Sequence, residues 1–402
     1  MPSPDRPLRI LMVMSQYWPY VGGAERQTER LARELIRRGH TVEVLTKPHP
    51  NRPRREERDG VRIRRDLRAL PLGKMWGLSY MLSAFAQLWR RRRLFDVFHL
   101  HQLYLHAASA SLVRRLGGPP VIVKIVNSGL FADWLVLRRM KGGALWLRWA
   151  KRCDRVIAIC RQLEPELREE GFAPQQIVRI PNGVDDAVFR PDLAVAAEPD
   201  RLLFMGRLDP YKGLFDLLKA VEILRARRTS VRLHIIGEGD LRDPLEAEIA
   251  RRGLGGIVTL RSFVEDVALE YARAAVVVLP STAEGMSNVM LEAMACARPV
   301  VATRVGGADD LLAADEGESL PTLSEDSYHV ARAGILTQAE RPAALAAAIE
   351  RVLDDAPLAR RLGEAARRVV EESFSIRSVA DRYETLYREL TAESARERAR
   401  TS

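Results

Sequence analysis

Short apolar runs alternate with helical repeats along the whole chain. Residues 8–14, 41–46, 96–101, 121–126, 156–160 and 177–180 read as strands in the first half. Residues 202–205, 231–236, 257–260, 276–279, 300–303 and 334–336 do so in the second. Most of these runs are continuously apolar, the pattern of a strand covered on both faces. Residues 24–38 place Leu31, Leu35 and Ile36 on one helical face, with Gly39 just past the end. Further helices are predicted at 214–227, 289–297, 343–353 and 376–390, and one ending at Glu170. Strand, helix, strand in repeated succession predicts an α/β, doubly wound fold. Residues 48–59 read as a polar basic loop before a short strand at 61–65, and 312–333 as an acidic loop without pattern. The polar, alanine-rich stretch 192–199 reads as an interdomain linker, and the tail 395–402 as frayed.

The segment around residues 280–303 carries the densest chemistry. A buried-type strand stops at Pro280, a loop with Gly285 follows, then a helix, then Pro299 and a new strand. Glu284 lies in the loop at the carboxyl end of the strand, where open α/β sheets bind ligands. Glu292 follows seven residues further in, near the start of the helix. The amides of Gly285, Met286, Ser287, Asn288 and Val289 face anything held over the helix N-terminus, which favours an anion such as phosphate. Carboxylates beside a phosphate suit hydroxyl partners, and a sugar and a ribose flanking a diphosphate supply them. The plainer alternatives are a helix-dipole partner and a glycosidase acid/base pair. The latter needs carboxyls about 5 Å apart in a retaining enzyme.

Two cations complete this picture. Arg207 and Lys212 sit in GRLDPYKG, between a strand and a helix, as a diphosphate clamp would require. The alternative is a pair of solvated surface charges. The Walker pattern is absent, which disfavours an ATPase. In the first half, Gly22 and Gly23 close the first strand's loop, either as part of a site or as a plain tight turn. The dinucleotide fingerprint G-x-G-x-x-G does not occur there. His99, His101 and His106 lack an acidic or cysteine partner at ligand spacing, so no metal is expected. A hydrogen-bonding role at the ligand edge suits His101.

Length and charge refine the division. A chain of 402 residues exceeds one ordinary core. Residues 1–190 carry +17 and the remainder −7, and all six tryptophans lie in the first part. A basic, tryptophan-rich half predicts contact with an anionic surface or acceptor. Residues 75–89, followed by Arg90 to Arg93, suit either a membrane interface or an internal helix with a basic end. No recognised nucleic-acid module occurs, so no nucleic-acid partner is expected. Three cysteines without C-x-x-C spacing predict a reduced setting without structural zinc. The N-terminus enters a strand at once and lacks a signal-peptide layout, which predicts a cytoplasmic protein.

Taken in order, GGAERQTERLARELIRRGHTVEVLT, VRIPNGVDDAVFRP, FMGRLDPYKGLFDLLKA, the E-x(7)-E segment and FSIRSVADRYETLYREL resemble the family 4 retaining glycosyltransferases. The resemblance covers nearly the whole length. It implies the GT-B fold, two Rossmann-like doubly wound domains facing a central cleft. It also implies an acceptor-side domain at 1–190, a nucleotide-sugar donor domain at 200–374, and a last helix at 375–392 packing back on the first domain. Carried over by position, Arg207 and Lys212 bind the donor diphosphate, Glu284 the donor sugar and Glu292 the ribose. The amides of Gly285 to Val289 contact sugar and phosphate, and Phe263 and Val264 flank the nucleobase. Gly22 and Gly23 close over the donor. The catalytic set is Arg207, Lys212 and Glu284, with His101 and Asn127 as acceptor-side candidates.

The implied activity is retaining, metal-independent transfer from a UDP- or GDP-linked sugar to a glycan or lipid-linked acceptor, in cell-surface polysaccharide or glycolipid synthesis. No cofactor is implied, and peripheral contact with the inner face of the plasma membrane is. A non-catalytic membrane-associated scaffold of the same fold is the alternative. Two departures stand out. Asn127-Ser128-Gly129 replaces a histidine common at that point, so no general base is carried over. The loop after Gly306-Gly307 is longer than expected.

Overall fold

The computed structural model describes residues 6–20, 22–71, 75–127, 129, 132–313, 322–324 and 327–401. The chain forms two compact units, Met1–Gly183 with Ile376–Ser402, and Val184–Ser375. The crossing falls at residues 183–184, ahead of the polar stretch expected as linker. Residues 184–190 belong to the second unit because Arg367 holds them: its guanidinium donates to the carbonyls of Asp186 and Phe189 at 3.3 and 2.9 Å. The stretch 192–199 is likewise tied down within that unit, where the Glu198 amide donates to Arg273 O at 2.9 Å.

In the first unit the strands are β1 (Arg9–Val13), β2 (Thr41–Leu45), β3 (Arg55–Arg58), β4 (Val61–Arg64), β5 (Val97–His101), β6 (Val121–Lys124), β7 (Arg155–Ala158) and β8 (Ile177–Arg179). They form one sheet in the order β3-β4-β2-β1-β5-β6-β7-β8. Only the β3–β4 pair is antiparallel. Strand order reverses between β1 and β5, which places this unit's switch point there. Ile10, Leu11, Met12 and Val13 are all buried, as a strand with helices on both faces requires. The basic loop expected at 48–59 is in part the edge strand β3. Its sequence, Arg-Glu-Glu-Arg, has no apolar face because it buries none.

The first unit's helices are α1 (Gly23–Arg37), α2 (Trp76–Arg91), α3 (Leu105–Arg115), α4 (Asp133–Arg138), α5 (Gly143–Ala150) and α6 (Leu163–Glu170). α2 resolves the choice left open for 75–89 in part. Tyr80, Ala84 and Leu88 are buried, while Leu78 and Leu82 face outward.

The second unit's strands are β9 (Arg201–Met205), β10 (Arg232–Ile236), β11 (Val258–Arg261), β12 (Val276–Leu279), β13 (Val300–Thr303), β14 (Tyr328–Val330) and β15 (Ile335–Thr337). Their order is β11-β10-β9-β12-β13-β15-β14, parallel except for β14 against β15. The reversal falls between β9 and β12. The helices are α7 (Leu214–Arg227), α8 (Arg242–Arg251), α9 (Val267–Arg273), α10 (Asn288–Ala295), α11 (Ala308–Leu312), α12 (Pro342–Asp354) and α13 (Ala356–Val369). Of the loop expected at 312–333, residues 314–321 and 325–326 lie outside the described residues, and β14 occupies 328–330.

The chain then returns to the first unit as α14 (Ile376–Thr401). Tyr383 and Tyr387 are fully buried there, and Val379, Leu386 and Leu390 join the core of β1 and α1. The expectation of a frayed tail from 395 is corrected by this helix. Arg114 donates to Glu397 at 2.7 Å and Arg155 to Glu393 at 3.2 Å, so the polar tail is held by ion pairs rather than by apolar burial. The Tyr387 hydroxyl shares a 2.7 Å hydrogen bond with Nδ1 of His99, which is fully buried on β5. Tyr387→Phe leaves that imidazole without its partner and is expected to cost about 1–3 kcal/mol in a urea titration.

Candidate functional site

The second unit's site is built where three loops meet at the carboxyl ends of β9, β12 and β13. The first runs from Gly206 through a short 3-10 turn, Pro210–Lys212. Gly213 ends it at φ +65°, and a Cβ there would overlap the Pro280 carbonyl. Only glycine permits that approach. The Thr282 amide then donates to Tyr211 O at 2.8 Å, locking the first loop to the second. Gly306, at φ +56°, packs in the same way against the carbonyls of Glu284 and Gly285. The Gly307 amide donates to Gly285 O at 2.6 Å.

This backbone lattice brings Lys212 and Glu284 together. Lys212 Nζ donates to Glu284 Oε2 at 2.6 Å, and Ser281 Oγ donates to the same oxygen at 3.1 Å. Arg207 is held differently. Its Nε lies 2.7 Å from Asp209 Oδ2 and its Nη2 2.6 Å, and the Tyr211 hydroxyl donates to that oxygen at 2.5 Å. Asp209 is buried, whereas the Arg207 side chain is 68% exposed. Burial, reinforced by the hydrogen bond to Asp209, pushes the Tyr211 phenol up to about 12, so it stays a donor at neutral pH.

Gly285 and Met286 continue the loop, and Ser287 caps α10 by accepting from the Met290 amide at 3.3 Å. Asn288 and Val289 open the helix. Glu292, one turn further, is fully buried, and its Oε2 accepts from the Tyr271 hydroxyl on α9 at 2.9 Å. Phe263, past the end of β11, is 76% exposed, while Val264 beside it is buried. The structure therefore gathers Arg207, Lys212, Glu284 and the 285–289 turn on one edge. It sets Glu292 behind them and Phe263 at the end of a strand two places along. Asp209, Tyr211 and Tyr271 were not singled out in the sequence. The alternation of polar with apolar residues from Arg207 to Tyr211 was the available signal for the first two.

The remaining candidates belong to the first unit. Gly22 caps α1 and accepts from the Arg26 amide at 3.1 Å. Gly23 is the first helical residue. A pocket of about 130 Å³ beside them is lined by Tyr17, Trp18, Tyr20, Glu25, Arg26 and Glu29. His101 ends β5 at the switch point but is buried, its ring 4.2 Å from that of His99. It is therefore beneath the edge rather than on it. Asn127 donates to Asp133 Oδ1 at 2.9 Å, and Oδ2 of Asp133 accepts from the Leu103 and Val126 amides at 3.1 Å each. Burial nevertheless pushes the Asp133 carboxyl up to about 6. Ser128 lies outside the described residues. Among the described residues no group of three or more His, Cys, Asp and Glu could hold a metal ion.

Matched against known proteins, residues 21–188 fit the family model described as Glycosyltransferase Family 4, and residues 199–355 the model described as Glycosyl transferases group 1. A D-inositol 3-phosphate glycosyltransferase of Pseudarthrobacter chlorophenolicus is 31% identical over 86% of this chain and 85% of its own. An MMP alpha-(1->4)-mannosyltransferase of Mycolicibacterium hassiacum is 29% identical over 96% and 100%. Among solved structures, a sucrose-phosphate synthase from Thermosynechococcus elongatus superposes with a TM-score of 0.76 at 23% identity, over 96% of this chain and 100% of that one. Anabaena HepE in complex with UDP-glucose gives 0.74 at 19% identity, over 94% and 99%. Two α/β units of this topology define the GT-B class of glycosyltransferases. Within it, the chain belongs to glycosyltransferase family 4.

A buried cation also stands in the first unit. Lys124, the cross-strand neighbour of His101, is buried, and burial brings its ammonium from 10.5 down to about 7. The folded chain thus binds this proton less tightly than the unfolded chain. Stability gained from Lys124 is therefore present at high pH and lost as pH falls toward 7. Urea titrations are expected to show the native chain gaining stability relative to Lys124→Met as pH rises from 7 to about 8.5.

Proposed function

We propose that this glycosyltransferase is retaining and metal-independent. It moves a sugar from a UDP- or GDP-linked donor to a hydroxyl of a glycan or lipid-linked acceptor, in the synthesis of cell-surface polysaccharide or glycolipid. The observation that carries the donor half is the pairing of Lys212 with Glu284 at the β9/β12 switch point, with Arg207 held by Asp209 in the same loop as Lys212. Two cations with amide donors between them suit a diphosphate. Charge grows on that diphosphate as the glycosidic bond breaks, and Arg207 and Lys212 stabilise it there, the work a divalent ion does elsewhere. Glu284 takes hydroxyls of the donor sugar. Glu292, whose Oε2 accepts from the Tyr271 hydroxyl, takes the ribose hydroxyls with its remaining acceptor capacity. The exposed Phe263 ring offers a face for the nucleobase.

No general base is assigned. The departing phosphate oxygen takes the acceptor proton on the face the sugar leaves, which retains configuration. Asn127, fixed by Asp133, is the acceptor-side group. The names of the two relatives, a mannosyltransferase and a D-inositol 3-phosphate glycosyltransferase, support a hydroxyl acceptor. The scaffold alternative would be favoured by loss of the clamp, yet both cations and both glutamates are present. Turnover of UDP- and GDP-linked sugars is expected to survive EDTA. Arg207→Ala and Lys212→Ala are each expected to lower kcat by about 10²- to 10³-fold, and near-normal rates in both would remove the clamp from the mechanism.

Membrane attachment is part of this reading. Among the described residues no helix is long and apolar enough to cross a membrane. The first unit nevertheless exposes Leu78 and Leu82 on α2 and Leu145 on α5. Arg92 lies over the Trp89 ring at 3.6 Å and Arg152 over Trp149 at 4.4 Å. Apolar side chains with arginine-backed tryptophans suit a headgroup boundary. Sedimentation with vesicles containing phosphatidylglycerol is expected to fall with added salt and with Leu78→Glu/Leu82→Glu. Equal binding to neutral phosphatidylcholine vesicles would count against it.

A further inference from the structure

We propose that the Lys212–Glu284 ion pair is exchanged on donor binding: the diphosphate takes Lys212, and the released Glu284 carboxylate takes hydroxyls of the sugar. The pair would then make the site prefer a sugar-bearing diphosphate to the bare one. This rests on the donor-site reading given above.

The argument starts from the pair itself. Lys212 Nζ and Glu284 Oε2 lie 2.6 Å apart, and both side chains are mostly shielded from water, at 16% and 21% exposure. A phosphate brought onto Lys212 comes close to the same carboxylate. Two like charges at such range, with little water between them, repel. Once Lys212 leaves, the carboxylate has lost the cation paired with it at 2.6 Å, and Ser281 Oγ remains as a neutral donor. The hydroxyls of a sugar linked to the diphosphate supply more. A bare diphosphate supplies none, so Glu284 then competes with it for Lys212.

Arg207 serves as the contrast. Its partner Asp209 is the more deeply buried carboxylate, at 9% side-chain exposure against 21% for Glu284. Only Nε and Nη2 of the guanidinium are engaged there, and the side chain is 68% exposed, so it can add a phosphate without releasing Asp209. One cation is thus a fixed anchor and the other a switchable one. After transfer the sugar has left, Glu284 regains Lys212, and release of the spent nucleotide is favoured. That step limits turnover in many enzymes.

The test is calorimetric titration of UDP, GDP and ADP, and of UDP-glucose, GDP-mannose and ADP-glucose, into the full chain. Glu284→Gln removes the competitor. It is expected to tighten the bare diphosphate by about five-fold and to weaken the matching hexose donor by about ten-fold. In a Lys212→Met background the tightening is expected to vanish. Glu284→Asp, which retracts the carboxylate while keeping its charge, should shift the bare diphosphate in the same direction and covers the case in which the glutamine variant does not fold. Unchanged or weakened diphosphate binding in the folded Glu284 variants would overturn the exchange, as would tightening that persists without Lys212. Lys212→Met binding diphosphate like the native chain, or a native chain that binds none of the six probes, would overturn the donor-site reading instead.

Discussion

Three backbone loops approach each other closely at Gly213 and Gly306, and the candidate donor site is suspended from those two points. At each, a side chain larger than hydrogen would strike a carbonyl oxygen of the facing loop. The approach fixes the start of α10 and sets Glu284 opposite Lys212. The loops can converge because the sheet reverses its strand order between β9 and β12. Crossover helices leave to opposite faces there, and a crevice remains at the carboxyl edge. The two glycines are the local condition of the site and the reversal is its global one.

Charge at this edge is arranged in pairs rather than displayed as free cations. Asp209 accepts from Arg207 and Tyr211, Glu284 from Lys212 and Ser281, and Glu292 from Tyr271. Pairing orients side chains whose rotamer freedom would otherwise oppose binding. It also sets carboxylates directly beside the cations of this edge. The first unit follows another logic: Lys124 and the three histidines are buried, and burial disfavours the charged form of each.

Most of the architecture was legible in the residues. Fully buried parallel strands are continuous apolar runs, and all those predicted form, shifted by a residue or two at their ends. The two strands missed share one physical cause. β3 and β14 are edge strands made of polar or half-exposed residues, and they leave no hydrophobic signature because they bury little. The end of α14 was missed for a related reason, since ion pairs to Arg114 and Arg155 hold a polar sequence that alone reads as solvent-exposed coil.

The sequence alone determined the alternation of strands and helices, the position of each loop at a strand's carboxyl end, and which charged residues those loops carry. These follow from periodicity and from the chemistry of side chains close in the chain. Only the tertiary structure decided that Lys212 is paired to Glu284, 72 residues away, that Glu292 is buried against Tyr271, and that His101 lies beneath the edge. Such facts depend on which loops the sheet order brings side by side and on how much water remains between them, and no local pattern encodes either.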